Sequence, residues 1–388
     1  SHGRFADDLQ GRIVASVYSF PSRRIAPDAA EELLHAVRRI APRRTVVVLS
    51  DDGPPEWLRE GENVSNIVWV RSYGRTYSPW PRDPFSFLRR PDAGVLLLVR
   101  PNVQRQREND AWMARELIQG IPESLDAAWG RVRWEHSPVP FHNGQILSLP
   151  RTVWVSVHSL EVRILQLLGE ARVPVASLAD AEGWSRYVAA AGEAAGELAS
   201  LYGRRVELVH PLDPATVPDS AFLDALGGGA GSDLDSLLTP LIHQGDQTGA
   251  LVADIDVGLE VLRRSTVDDL DRFSARWGTT RAGDELRLEI SGDQQSPPAR
   301  RLDAFLEMVS AHLRRTGVEV SRLPLLWIPP ELMARPEPPL EQPFLITWNN
   351  VVLERVDGRT RAEGFAGLLP AGDDWARDRF SASGYDLE

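Results

Sequence analysis

Two residue types are missing altogether. The 388-residue chain has no cysteine and no lysine. Without cysteine it has no disulfide, no thiolate metal site and no cysteine nucleophile within these residues. Without lysine, all 43 basic residues are arginine. That excludes a Schiff-base lysine, a P-loop lysine and a lysine general base. No apolar run approaches the length of about 20 residues that a membrane-spanning helix needs. The opening Ser1-His2-Gly3-Arg4 lacks a signal-peptide pattern, so residues 1–10 read as a tail or processing scar. These absences lead us to expect a cytoplasmic protein with no membrane partner.

What is present points to a folded chain. At 43% hydrophobic and 25% charged it can bury a core. The net charge of −12 argues against a nucleic-acid partner, because phosphate binding needs a basic face. It suits a cationic ligand. Oligomeric state is not readable from these features.

The pattern alternates strands and helices. Arg12–Phe20 reads as a buried strand. Pro27-Asp28 opens a helix, with Asp28 as cap, Glu31 three residues on, and Leu33, Val37 and Ile40 on one face. Pro42 stops it. Thr45–Ser50 is a second strand, Val64–Val70 a third and Gly94–Val99 a fourth. Asn109 is read as the cap of a helix carrying Trp112, Met113, Glu116 and Leu117. Strands follow at 131–134 and 152–157. Residues 178–203 form an Ala/Gly-rich helix, read as an insertion. A late amphipathic helix carries Leu302, Phe305, Leu306, Val309 and Leu313. Strands at 318–320 and 323–328 follow it, and the last spans Phe344 to Leu353. Repeated strand–helix–strand units without a strict period predict a pseudo-symmetric α/β fold, not a solenoid.

Several chemical signatures are weak or missing. The eight histidines show no compact ligand spacing, so no metal is expected. The run Gly227-Gly228-Gly229-Ala230-Gly231 lacks the lysine and spacing of a phosphate cradle, and no cofactor is expected. There is no GxSxG elbow.

Two acidic features stand out. Tyr77-Ser78-Pro79-Trp80-Pro81-Arg82-Asp83-Pro84-Phe85 encloses an acid and an aromatic between prolines. Such a loop can present a carboxylate rigidly to a cation. Leu251-Val252-Ala253-Asp254-Ile255-Asp256-Val257 is an apolar strand with carboxylates at i and i+2. They face one side, which is unfavourable unless a cation or water meets them. A turn carrying a surface Asp, and a solvated strand edge, are the simpler alternatives.

Taken together these segments resemble the pentein superfamily, which modifies guanidino groups and includes agmatine deiminase and bacterial peptidylarginine deiminase. Trp80-Pro81-Arg82-Asp83 resembles its Trp-x-Arg-Asp loop, whose Asp grips the guanidinium. Phe141-His142-Asn143-Gly144-Gln145-Ile146-Leu147 resembles its Gly-Gly-Asn-x-Leu turn. Phe344–Leu353 resembles the last-module strand with its Asn, here Asn349, and Ala382–Leu387 the approach to its C-terminal catalytic loop. The resemblance implies one domain over 11–388. Its fold would be a pseudo-fivefold β/α propeller around a central cavity, with the helix near 178–203 inserted.

It also implies deiminase-like hydrolysis of arginine, agmatine or an arginyl peptide. Trp80, Arg82, Asp83, Asn143, Asp256 and Asn349 would bind substrate. Two departures are plain. The His-x-Asp element falls where this chain reads Asp254-Ile255-Asp256, so His142, His243 or Asp254 would replace the acid–base group. The family's nucleophilic cysteine has no counterpart through Glu388. An inactive relative that binds an arginine-like ligand or a partner's arginine side chain is the alternative, as is an unrelated α/β protein.

Overall fold

The structure is a computed structural model. It describes residues 4–5, 12–13, 15–20, 27–55, 66–72, 74–77, 84–89, 95–99, 108–120, 132–143, 146–148, 152–170, 173–210, 212–220, 223, 280–282, 285–287, 311–316, 325–328, 344–347, 352–363, 374, 377–378, 380–382 and 384–387. The chain divides into two compact units. The first comprises Ser1–Ala171 and Arg186–Leu208, the second Arg172–Ser185 and Val209–Glu388.

The first unit is built in the order β1 (Arg4–Phe5), β2 (Ala15–Phe20), α1 (Pro27–Ile40), β3 (Thr45–Ser50), β4 (Ile67–Arg71), β5 (Phe85–Arg89), β6 (Val95–Val99), α2 (Met113–Gly120), β7 (Val132–His136), β8 (Ile146–Ser148), β9 (Thr152–Ser156) and α3 (Glu161–Leu168). Helix α4 (Ala181–Tyr202) and strand β10 (Arg205–Val209) follow. Strands β2, β3 and β4 form a parallel sheet with β3 in the middle. A second sheet runs β1-β5-β6-β7, in which β5 and β6 are antiparallel while β6 and β7 are parallel. The third runs β10-β9-β8.

β3 shows why the sequence folds this way. Val46, Val47, Val48 and Leu49 are all buried, as expected of a central parallel strand covered on both faces. Alternate side chains enter different cores. Val46 and Val48 pack with Phe20, Leu34, Val37, Ile40 and Ala41. Val47 and Leu49 pack with Val70, Tyr77, Phe85, Val99, Met113 and Leu117. Full burial of each such side chain contributes roughly 1.5–3 kcal/mol. α1 starts at Pro27 itself, where a missing N–H costs nothing, so Asp28 lies inside the first turn and is not the cap. α2 reaches β4 through Gly120, where an added Cβ would stand 2.5 Å from a methyl of Val70.

The second unit begins with a 3-10 turn at Val175–Ala179 and the first turn of α4. Further along are the antiparallel pairs β11 (Thr280–Ala282) with β12 (Glu285–Arg287), and β13 (Leu325–Ile328) with β14 (Phe344–Thr347). Strand β15 (Val352–Val356) then turns back into β16 (Arg359–Glu363), which lies parallel to β17 (Tyr385–Leu387). Asp357 and Gly358 make that turn with φ of 51° and 80°, the left-handed pair that an Asp-Gly hairpin favours. The single strand expected over 344–353 is therefore two, β14 and β15. Among the described residues no sheet closes on itself, and no helix is long and apolar enough to cross a membrane.

Candidate functional site

Of the residues singled out in the sequence, His142 and Asn143 are described. Trp80, Arg82, Asp83, His243, Asp254, Asp256 and Asn349 lie outside the described residues. So do residues 78–83 as a whole, but the residues on either side, Tyr77 and Pro84, are described and buried. The polar structure around these two points gives the site its frame.

On the entering side, four contacts hold residues 72–77. The Ser72 hydroxyl donates to the Arg75 carbonyl. Asn109 Nδ2 donates to the Thr76 carbonyl at 3.0 Å, so its amide ties down this segment. The Thr76 hydroxyl donates to Asp51 Oδ2 at 3.2 Å. Arg75 Nη1 donates to Glu116 Oε1 at 2.6 Å, and its guanidinium lies 4.8 Å from the centre of the Trp112 ring. Arg115 lies 5.5 Å from the same ring. A cation over an indole is worth about 0.5–1 kcal/mol when exposed.

Tyr77 closes this side. Burial first, and then the Glu116 carboxylate, push its phenol well above the usual tyrosine range. Its hydroxyl and Glu116 Oε2 are both fully buried.

On the leaving side, Pro84, Phe85 and Ser86 are buried. Ser86 Oγ donates to Asn143 Oδ1, and Asn143 Nδ2 donates to the Phe85 carbonyl at 2.9 Å. The side chain of Asn143 therefore staples the approach to β8 onto the start of β5. Behind it, Tyr202 of α4 is fully buried and meets Phe141 edge-on, with centroids 6.3 Å apart. Burial raises the Tyr202 phenol, and a hydrogen bond with Ser86 partly offsets this. The His142 backbone N–H donates to both the carbonyl and the hydroxyl of Ser159, at 3.1 and 3.0 Å. The Ser159 hydroxyl donates back to the His142 carbonyl at 2.5 Å. His158 Nδ1 lies 3.3 Å from Glu161 Oε2.

The second unit holds another buried polar centre. His210 follows β10 directly, packs edge-on against Trp184 at 5.8 Å, and is only 3% exposed. Its Nδ1 lies 2.9 Å from both the carbonyl and the N–H of Leu212, so the tautomer decides which bond it makes. Its pKa is lowered to about 4, mainly by burial, with the hydrogen bond to Leu212 opposing the shift and the nearby His312 adding to it. Among the described residues no group of three or more His, Asp or Glu could hold a metal ion.

Arg75, Glu116, Ser86, Tyr202 and His210 were not singled out for site roles in the sequence. Glu116 did leave a trace there, being an acid flanked by Met113 and Leu117 on an apolar helical stripe. Such a residue needs a buried partner. Ser86 and Tyr202 left none, since a small polar residue in a strand and a tyrosine at a helix end are both ordinary.

No family model and no curated protein matches the chain. Solved structures do. A Porphyromonas gingivalis protein provisionally named an arginine deiminase aligns over 99% of this chain and 91% of its own, at 12% identity and a TM-score of 0.50. Agmatine deiminase of C. jejuni aligns over 99% and 88%, at 12% identity and a TM-score of 0.49. A structure provisionally named a peptidyl-arginine deiminase aligns over 54% of this chain, which spans 57% of that protein's length, at 14% identity and a TM-score of 0.37. The first of these fixes the fold class: the chain is an α/β protein with a pentein-like, deiminase-like fold. Identities of this size carry fold and not activity.

Proposed function

We propose that the protein is a guanidino-group hydrolase of the deiminase type, acting on arginine, agmatine or an arginyl peptide. One observation carries the reading. The Trp80-Pro81-Arg82-Asp83 motif falls between two buried, hydrogen-bonded anchors in a chain of deiminase-like fold. In this reading residues 11–388 form one pseudo-fivefold β/α propeller around a cavity, and the helix near 178–203 is its insertion. Asp83 and Asp256 grip the guanidinium through paired, charge-assisted hydrogen bonds. Trp80, Arg82 and Asn349 line the ligand. Asn143, with both ends of its amide engaged, fixes the wall behind them. His142, His243 or Asp254 moves the proton. Hydrolysis takes up one water, leaves a ureido product and releases ammonium.

A second reading has its own observation, the absence of cysteine from these residues. In it the protein binds the guanidinium without turning it over. One pair of measurements separates the two. Citrulline or ammonium release from arginine, agmatine and arginyl peptides tests hydrolysis, while calorimetry with the same compounds tests binding. Asp83→Asn removes one charged acceptor, a loss of about 1.5–3 kcal/mol. That corresponds to roughly ten- to hundredfold weaker binding. Wild-type affinity in Asp83→Asn would refute both readings.

A further inference from the structure

We propose that Glu116 is a positioning residue: with Arg75 it forms a clamp that fixes the chain entering the guanidinium-binding motif at Tyr77. The inference rests on the guanidinium reading of that motif and adds to it a residue 33 positions from Asp83 on a different element.

Four observations support it. Glu116 is 6% exposed, although it is a carboxylate on the apolar face of α2. Removing such a charge from water is costly unless a partner repays it. The partner is Arg75, whose Nη1 lies 2.6 Å from Oε1. Arg75 belongs to no helix or strand, so a simpler design would leave it in solvent. Instead Trp112, in the turn just before α2, covers its guanidinium at 4.8 Å. α2 itself is pressed onto β4 through Gly120, so the carboxylate is presented from a rigid base.

The clamp acts in one direction along the chain. Arg75, Thr76 and Tyr77 are each held by a group from elsewhere: Glu116, Asn109 and the core around Met113 and Leu117. Tyr77 is the last described residue before the motif. Sites of this kind need their supporting residues fixed to within a fraction of an ångström. Without the Glu116–Arg75 bond, Thr76 and Tyr77 keep their own contacts but lose the link that sets the segment's direction.

The test uses the full chain and two variants. Glu116→Gln keeps the shape and removes the charge. Arg75→Gln removes the same bond from the half-exposed side but leaves the Glu116 carboxylate buried without its partner, so Glu116→Gln is the variant that threatens the fold less. Two quantities are read, amide hydrogen exchange over residues 72–77 and agmatine affinity by calorimetry. Both variants are expected to exchange about tenfold faster over 72–77, with α1 unchanged. Both are expected to bind agmatine about tenfold more weakly; the thermal midpoint of Glu116→Gln stays close to wild type, while that of Arg75→Gln falls because its buried carboxylate has lost its partner. The double variant should lose no more than either single one, because both remove one bond. Unchanged affinity in both variants, beside a wild type that binds, would overturn the positioning role and leave the guanidinium reading intact. A wild type that binds none of agmatine, arginine and arginyl peptide would overturn that reading, and this inference with it.

Discussion

A single imidazole gives this protein a predictable response to acid. His210 is buried against Trp184, and burial holds its pKa near 4, with His312 adding to the shift. An unfolded histidine titrates near 6.5. The folded state therefore resists the proton that the unfolded state accepts. Stability from this group is complete above about pH 6.5 and falls as the pH drops toward about 4. A displacement of this size is worth roughly 3 kcal/mol across the window, lost at the acidic end. Urea denaturation at pH 7, 5.5 and 4.5 should show the decline in wild type and a flatter profile in His210→Asn. That variant starts lower at pH 7, since it gives up packing on the indole. Equal slopes in the two proteins would mean that the acid sensitivity lies elsewhere.

Helix α4 carries its own experiment in three glycines. At Gly192 and Gly196 an added Cβ meets nothing within 4 Å. Alanine there removes backbone freedom from the unfolded chain and should stabilise by roughly 0.5–1 kcal/mol at each site. At Gly183 an added Cβ would stand 2.1 Å from the Ser177 carbonyl oxygen. The obstacle is backbone, so Gly183→Ala should destabilise by about 1–3 kcal/mol. Thermal midpoints of the three variants check the signs, and a loss at Gly192 or Gly196 would show that those positions pack against something. This scale was also the most legible in the sequence. The unbroken apolar run of β3 and the periodic stripe of α1 are both strong signals, and both elements appear where they were expected. β5 was not foreseen, because Pro84 and the aromatic–serine alternation after it read as loop. β14 and β15 were merged, because apolar residues dominate both ends of 344–353, although Asn349-Asn350 between them was a polar break that could have divided the run. The Asp357-Gly358 turn between β15 and β16 carried a usable signal, a two-residue hairpin signature.

At the scale of the whole molecule, the family resemblance carried the fold class, while the site was legible only in part. Trp80-Pro81-Arg82-Asp83 is local and could be seen. The Glu116–Arg75 bond spans 41 residues and Ser86–Asn143 spans 57, and no local pattern announces such pairs. Charge is a global property and supports one more prediction. The protein carries −12, with every positive charge on a guanidinium that cannot be discharged near neutral pH. A cationic ligand therefore approaches through a favourable field, in addition to the carboxylates that grip it. Salt shortens the reach of that field to about 10 Å at 0.1 M and further at higher strength. Agmatine carries both a guanidinium and an ammonium, whereas the carboxylate of arginine cancels one charge. Agmatine affinity should thus weaken severalfold on going from about 0.01 M to about 1 M salt, and arginine affinity less. Asp83→Asn should flatten the agmatine dependence, because one of the interacting charges is gone. Calorimetric titrations of both ligands at three ionic strengths decide the matter. Identical salt dependence for agmatine and arginine would show that the bound cation meets only local contacts and that the net charge contributes nothing to its capture.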